Sequence, residues 1–114
     1  METIFEAMDK SFKARNENVF SFFIDANFPA FKGHFPGNPL LPGIVQIEFV
    51  LFCIKKLLGK DNIALQEIHK VKFQKALLPN SSFDISIKAE AGKFYAVIQS
   101  GGGQIAQIQM TAGI

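Results

Sequence analysis

Apolar and polar residues are interleaved along most of this chain, but one stretch breaks the habit. Ile44 to Leu58 holds eleven hydrophobic residues in fifteen, enough length for a helix of about four turns. Gly59 supplies its stop. With so few polar positions, this helix must be covered on most sides. Elsewhere the pattern is that of strands. Asn18 to Asp25 (Asn-Val-Phe-Ser-Phe-Phe-Ile-Asp) is rich in aromatic and β-branched residues. After the helix, Glu67 to Ala76, Phe83 to Glu90, Phe94 to Gln99 and Gln104 to Thr111 show β-type composition or rough alternation. Pro79-Asn80-Ser81, Ala91-Gly92 and Gly101-Gly102-Gly103 separate them as turns. The glycine triplet is not a phosphate loop, because no helix follows it and no Lys-Ser/Thr completes the motif. The predicted order is strand, loop, one helix and an antiparallel meander. A sheet curling around the helix would cover it, which gives an α+β architecture.

Composition narrows the class. The 114 residues fit one domain, 1–114, with one core. A hydrophobic content of 48%, with 13 Phe, supports a packed globular unit. A formal net charge of +2, from 12 basic and 10 acidic residues, lacks the clustered basic face that nucleic acid requires. Cys53 is the only cysteine, so neither an intramolecular disulfide nor a cysteine-based zinc site can form. The first residues are acidic where a signal peptide is basic. The apolar run is too short for a bilayer, and Glu48 interrupts it. The expectation is a soluble, cytoplasmic protein without a membrane span.

The chemistry gathers just before the helix and within it. Asn27 to Gly43 contains four of the five prolines and three glycines, and is expected to be a structured loop. His34 sits in that loop, and an imidazole with an ordinary pKa of about 6.5 can act as a base near neutrality. Pro36, Pro39 and Pro42 fix their own φ and push Phe35, Asn38 and Leu41 towards extended conformations, which restrains the histidine. Glu48 has only apolar helical neighbours at three and four residues, namely Ile44, Val45, Leu51 and Phe52. An ionised carboxylate is poorly solvated on such a face, which favours the protonated acid and makes it a proton donor. The alternative is that Glu48 reaches a rim or pairs with a lysine. Pro42 suits the first turn, and the N–H of Gly43 then lies among the unpaired donors at the positive end of the helix. Without a side chain, Gly43 admits a substrate oxygen closely, and a carbonyl held there is polarised as enolate character develops. It can equally be a glycine needed only for the turn. His69 reads as an edge-strand residue and Cys53 as core. No metal-ligand spacing, nucleophile elbow or dinucleotide fingerprint is present.

These residues resemble a known family. Gly33-His34-Phe35-Pro36-Gly37-Asn38-Pro39, then Leu41-Pro42-Gly43-Ile44, then Gln46-Ile47-Glu48 is similar to the active-site segment of (3R)-hydroxyacyl-acyl carrier protein dehydratases of the FabZ/FabA type. Ile68 to Pro79, with Val71-Lys72-Phe73 and Leu78-Pro79, resembles the strand and turn that follow in that family. The resemblance covers about Asn18 to Met110. It implies a hot-dog fold, in which an antiparallel sheet wraps one long central helix. It also implies a homodimer in which each site takes its histidine from one subunit and its acid from the other. By that resemblance His34 removes a proton from C2, Glu48 protonates the departing C3 hydroxyl, and Gly43 receives the thioester carbonyl. Phe35, Pro36, Gly37 and Pro42 form the loop scaffold.

The implied reaction dehydrates a (3R)-hydroxyacyl thioester to the trans-2-enoyl thioester in fatty-acid or polyene synthesis. It needs no cofactor and no metal, because the thioester itself acidifies C2. The substrate is expected on an acyl carrier protein, an acidic partner that Lys70, Lys72 and Lys75 could meet. Two positions depart from the pattern: Phe49 and Phe52 stand where the family usually has Ala and Gln. The bulky Phe49 resembles dehydratases of aryl-polyene gene clusters. The chain is short at its amino end, so the family's amino-terminal helix is expected to be reduced or absent, and assembly beyond the dimer stays open. The alternatives are a hot-dog acyl thioesterase and a non-catalytic acyl-binding protein of the same fold.

Overall fold

A long apolar helix and a six-stranded antiparallel sheet share one hydrophobic core. The computed structural model describes residues 2–32 and 39–114. In chain order the elements are α1 (Ile4–Ser11), β1 (Phe12–Asn16), β2 (Val19–Ile24), a 3-10 turn (Pro29–Phe31), α2 (Gly43–Leu58), β3 (Ala64–Phe73), β4 (Ser81–Glu90), β5 (Lys93–Ser100) and β6 (Gly103–Gly113).

The central helix forms where the pattern placed it. Eight of its residues are buried, among them Val45, Ile47, Phe49, Val50, Cys53 and Ile54. It ends in a Schellman motif: Gly59 is left-handed (φ 65°), its N–H donates to the Lys56 carbonyl, and the Lys60 N–H donates to that of Lys55. Strand alternation is equally direct. Phe83, Ile85 and Ile87 of β4 point inward, as do Phe94, Ala96 and Ile98 of β5. Register sets these side chains against one another, Phe22 opposite Phe83, Ile85 opposite Ile98 and Phe94 opposite Met110. Gly101 and Gly102, at φ 59° and 79°, close the β5–β6 hairpin as a two-residue turn. The glycine triplet is therefore hairpin chemistry.

Three expectations need correction. The amino-terminal helix is present: α1 carries a full capping box in which Thr3 and Glu6 each satisfy the other's backbone N–H. The predicted loop from Asn27 contains the 3-10 turn, started by Pro29. The last four strands do not form one continuous meander. Only β4, β5 and β6 do, while β3 crosses to the far side of β6 and β2 takes the place beside β4. Local pattern identifies a strand but not its neighbour, which depends on the edge left open once α2 is covered.

As a result β1 and β3 are the sheet's edges. Both carry register shifts, one in β1 and two in β3, as edge strands often do.

Candidate active site

The start of α2 is built as an open donor site. Pro42 is the N-cap rather than the first helical residue, with extended backbone (φ −60°, ψ 148°), and its side chain caps nothing. Its carbonyl accepts the N–H groups of Val45 and Gln46 at 3.0 and 3.1 Å. Among the described residues no acceptor meets the N–H of Gly43, and no acidic side chain lies in the first turn. The positive end of the helix macrodipole is thus left for another group. The approach to the helix is pinned, because the buried Leu41 donates its N–H to the carbonyl of the buried Leu77 at 2.8 Å. Gln74 and Lys75 in turn hang from the Ile105 carbonyl of β6.

Phe73, the last residue of β3, lies directly over Gly43. A Cβ at position 43 would stand 2.6 Å from Phe73 Cζ. The missing side chain is what lets the ring sit this close, and the φ of Gly43 is not left-handed. The sequence reading missed Phe73 as a site residue, because a strand-end aromatic carries no local signal of contact with a helix thirty residues earlier. Between these elements runs a cleft of about 350 Å³, lined by Leu41, Gly43, Gln46, Phe73 and Lys75.

Glu48 is half-buried. Among the described residues it forms no ion pair, so the expected alternative of a lysine partner is not what the structure shows. Its helical neighbours divide: Val45 and Leu51 are buried, Phe52 is half-buried, and Ile44 is 64% exposed. Ile44 and Glu48, four residues apart, share the least covered stripe of α2. Five residues separate Gly43 from Glu48, which places them about 140° apart around the helix. His34, Phe35, Pro36 and Gly37 lie outside the described residues.

The two departures from the resemblance sit in the core. Phe49 is buried and packs edge-on against Phe22 and Phe83, with ring centroids 5.1 and 5.2 Å away, and stacks on Phe28 at 5.5 Å. Phe52 joins Phe12 and Phe22 and lies under the Lys56 ammonium at 4.8 Å. Cys53 is fully buried, and desolvation pushes its thiol well above the usual range, which suits a core residue and not a nucleophile. His69 lies on the edge strand β3, with Nε2 2.6 Å from the Thr111 hydroxyl and Nδ1 3.4 Å from Glu67. Lys70, Lys72 and Lys75 are exposed.

This architecture, a sheet packed on one long helix whose bare start meets a strand-end aromatic, is that of a hot-dog protein. One solved structure with the same fold is the dehydratase heterocomplex ApeI:P from Xenorhabdus doucetiae, with TM-score 0.74, 23% identity and coverage of 90% of this chain and 94% of that one. The family described as ApeI-like, ApeI dehydratase, matches residues 10–109, and the chain belongs to it. It is also 39% identical over 69 residues to the bifunctional enzyme LpxC/FabZ of Chlorobaculum tepidum, covering 54% of this chain and 15% of the relative. It is 31% identical over 65 residues to the 3-hydroxyacyl-[acyl-carrier-protein] dehydratase FabZ of Ehrlichia chaffeensis, covering 54% and 46%. The chain thus spans less than half the length of these two relatives. Among the described residues no helix is long and apolar enough to cross a membrane.

Proposed function

We propose that the protein is a hydro-lyase that dehydrates a (3R)-hydroxyacyl thioester, carried on acyl carrier protein, to the trans-2-enoyl thioester. The observation that carries this reading is the start of α2, where the Gly43 N–H at the positive helix end meets no acceptor among the described residues and lines a largely apolar cleft. That is the arrangement a thioester carbonyl needs as negative charge builds on its oxygen. Membership of the ApeI-like dehydratase family supports the reaction class, and the FabZ relative's name supports the carrier.

In this reading His34 takes the C2 proton as a base, and Gly43 holds the carbonyl as the enolate forms. The C3–O bond then breaks, the C2–C3 double bond forms, and the hydroxyl leaves as water with a proton from Glu48 of the partner subunit. That the acid comes from a second copy is what the family resemblance implies. Ile44, Ile68 and Phe73 are apolar side chains exposed on α2 and β3, and such a copy would cover them. The exposed Lys70, Lys72 and Lys75 suit an acidic carrier. Residues 1–114 act as one unit in this account, in a reducing, cytoplasmic setting that keeps Cys53 a thiol.

The test is hydration, the reverse reaction. The purified protein is mixed with a 2-enoyl thioester and loss of the conjugated absorbance is followed. Wild type should hydrate the substrate, and His34→Ala and Glu48→Gln should each lower the rate by at least about a hundredfold. Release of free thiol without hydration would replace this reading with thioester hydrolysis, and neither reaction would leave an acyl-binding role.

A further inference from the structure

Gln46 is the one buried polar side chain of α2, only 3% exposed. Its Nε2 donates to the Leu41 carbonyl at 3.2 Å, whereas its Oε1 is shut from solvent and has no donor among the described residues. The amide cannot be flipped to remove this mismatch, because only the nitrogen can face a carbonyl. Native folds keep few such orphaned acceptors, and each calls for an explanation.

Its position supplies one. Gln46 lies three residues after Gly43, hence on the same helix face, and its side chain runs back towards the helix start to reach Leu41. Both residues line the cleft beneath Phe73, with Lys75 at its rim. Among the described residues this face therefore holds a donor without an acceptor, the Gly43 N–H, and an acceptor without a donor, Gln46 Oε1, the latter covered in the closed structure. The complementary ligand has an acceptor and a donor separated by about one helical side-chain spacing, on the order of 5 Å. The Phe73 ring over Gly43, which lines the same cleft as Gln46, is 47% exposed, so it can swing aside without emptying the core.

We infer that Gln46 is a specificity-determining residue that accepts the first amide N–H of the carrier arm. In an acyl thioester of cysteamine type, R–CO–S–CH2–CH2–NH–CO–, that N–H follows the sulfur by two methylenes. With the thioester oxygen on Gly43, the arm leaves beneath Phe73 towards Lys75 and presents its N–H to Gln46 Oε1. This rests on the thioester reading above, and adds that the protein recognises the arm as well as the acyl group.

The test compares 2-enoyl thioesters of N-acetylcysteamine with the same compounds methylated on the amide nitrogen, which removes the donor and adds one methyl group, a steric change that the Gln46→Met comparison reads separately. Wild type should show kcat/KM at least about tenfold lower for the methylated compound. Gln46→Met, close in shape, should lose about that factor on the unmethylated substrate and little on the methylated one. Equal wild-type rates on both would overturn the inference. So would an equal loss by Gln46→Met on both, because a residue that orients His34 or merely packs acts whatever the carrier. Binding of saturated hexanoyl thioesters, which cannot be dehydrated, reads the same contact without turnover. Preference for the N–H compound there, without any hydration, would keep the amide site and discard the dehydratase reading. Hydration without preference would do the reverse. If Gln46→Met fails to fold, the two wild-type comparisons still decide.

Discussion

Gly43 does two jobs that a methyl group would bring into conflict. Its unpaired N–H needs room for an incoming oxygen, and its missing side chain lets the Phe73 ring close over the helix start. Gly43→Ala should fold, since alanine favours the helix and the half-exposed ring can move outwards. The methyl and the displaced ring would then stand where the carbonyl must approach. The expected result is a fall of about a hundredfold or more in kcat, comparable to losing an oxyanion donor, with a melting temperature shifted by only a few degrees. A large loss of stability with activity intact would show that the glycine serves packing alone. Glycine, acid and proline were all legible at this scale, because each carries its chemistry in its own type. Gln46 was visible as a residue of the motif but not as an orphaned acceptor, since that status depends on the burial of its Oε1 and on the Leu41 carbonyl.

At the scale of elements, α2 is held by aromatic packing as much as by its own propensity. Phe49 stands at the centre of a cluster with Phe22, Phe28 and Phe83. Phe49→Ala should lower unfolding free energy by about 3–5 kcal/mol, read from denaturant titration, because a buried ring leaves a cavity that three neighbours cannot fill. A loss below about 1 kcal/mol would mean that the cluster collapses freely. Phe49, which stands where the family usually has Ala, is thus first a stability residue. The same scale exposes what the pattern hid. The Thr3-x-x-Glu6 spacing is the capping-box signal that could have revealed α1, whereas the short run Phe12–Asn16 has too few residues to reveal β1. Strand β3 was found, but not its place at the edge beside β6.

For the whole molecule, the decisive prediction concerns sharing of the site. If His34 of one subunit works with Glu48 of the partner subunit, two inactive variants should complement each other. A dimer of His34→Ala with Glu48→Gln holds one wild-type pair and one doubly defective pair. Random mixing after denaturation and refolding should restore about a quarter of wild-type activity. No recovery, with mixed dimers demonstrated, would place both groups in one chain. The exposed apolar stripe would then need another explanation, and Ile44, 64% exposed beside the acid, is its clearest member.

The sequence alone determined the central helix and five of the six strands, because periodicity and turn chemistry act over a few residues and need no partner. It also marked the proline-rich loop and the helix start, because proline, glycine and an isolated carboxylate have consequences wherever they stand. Only the tertiary structure decided that β3 lies outermost, that Phe73 roofs Gly43, and that Gln46 keeps an unpaired oxygen. Each depends on residues distant in the chain being brought within van der Waals or hydrogen-bond range. Strand order and burial set that proximity, and local pattern carries no record of it.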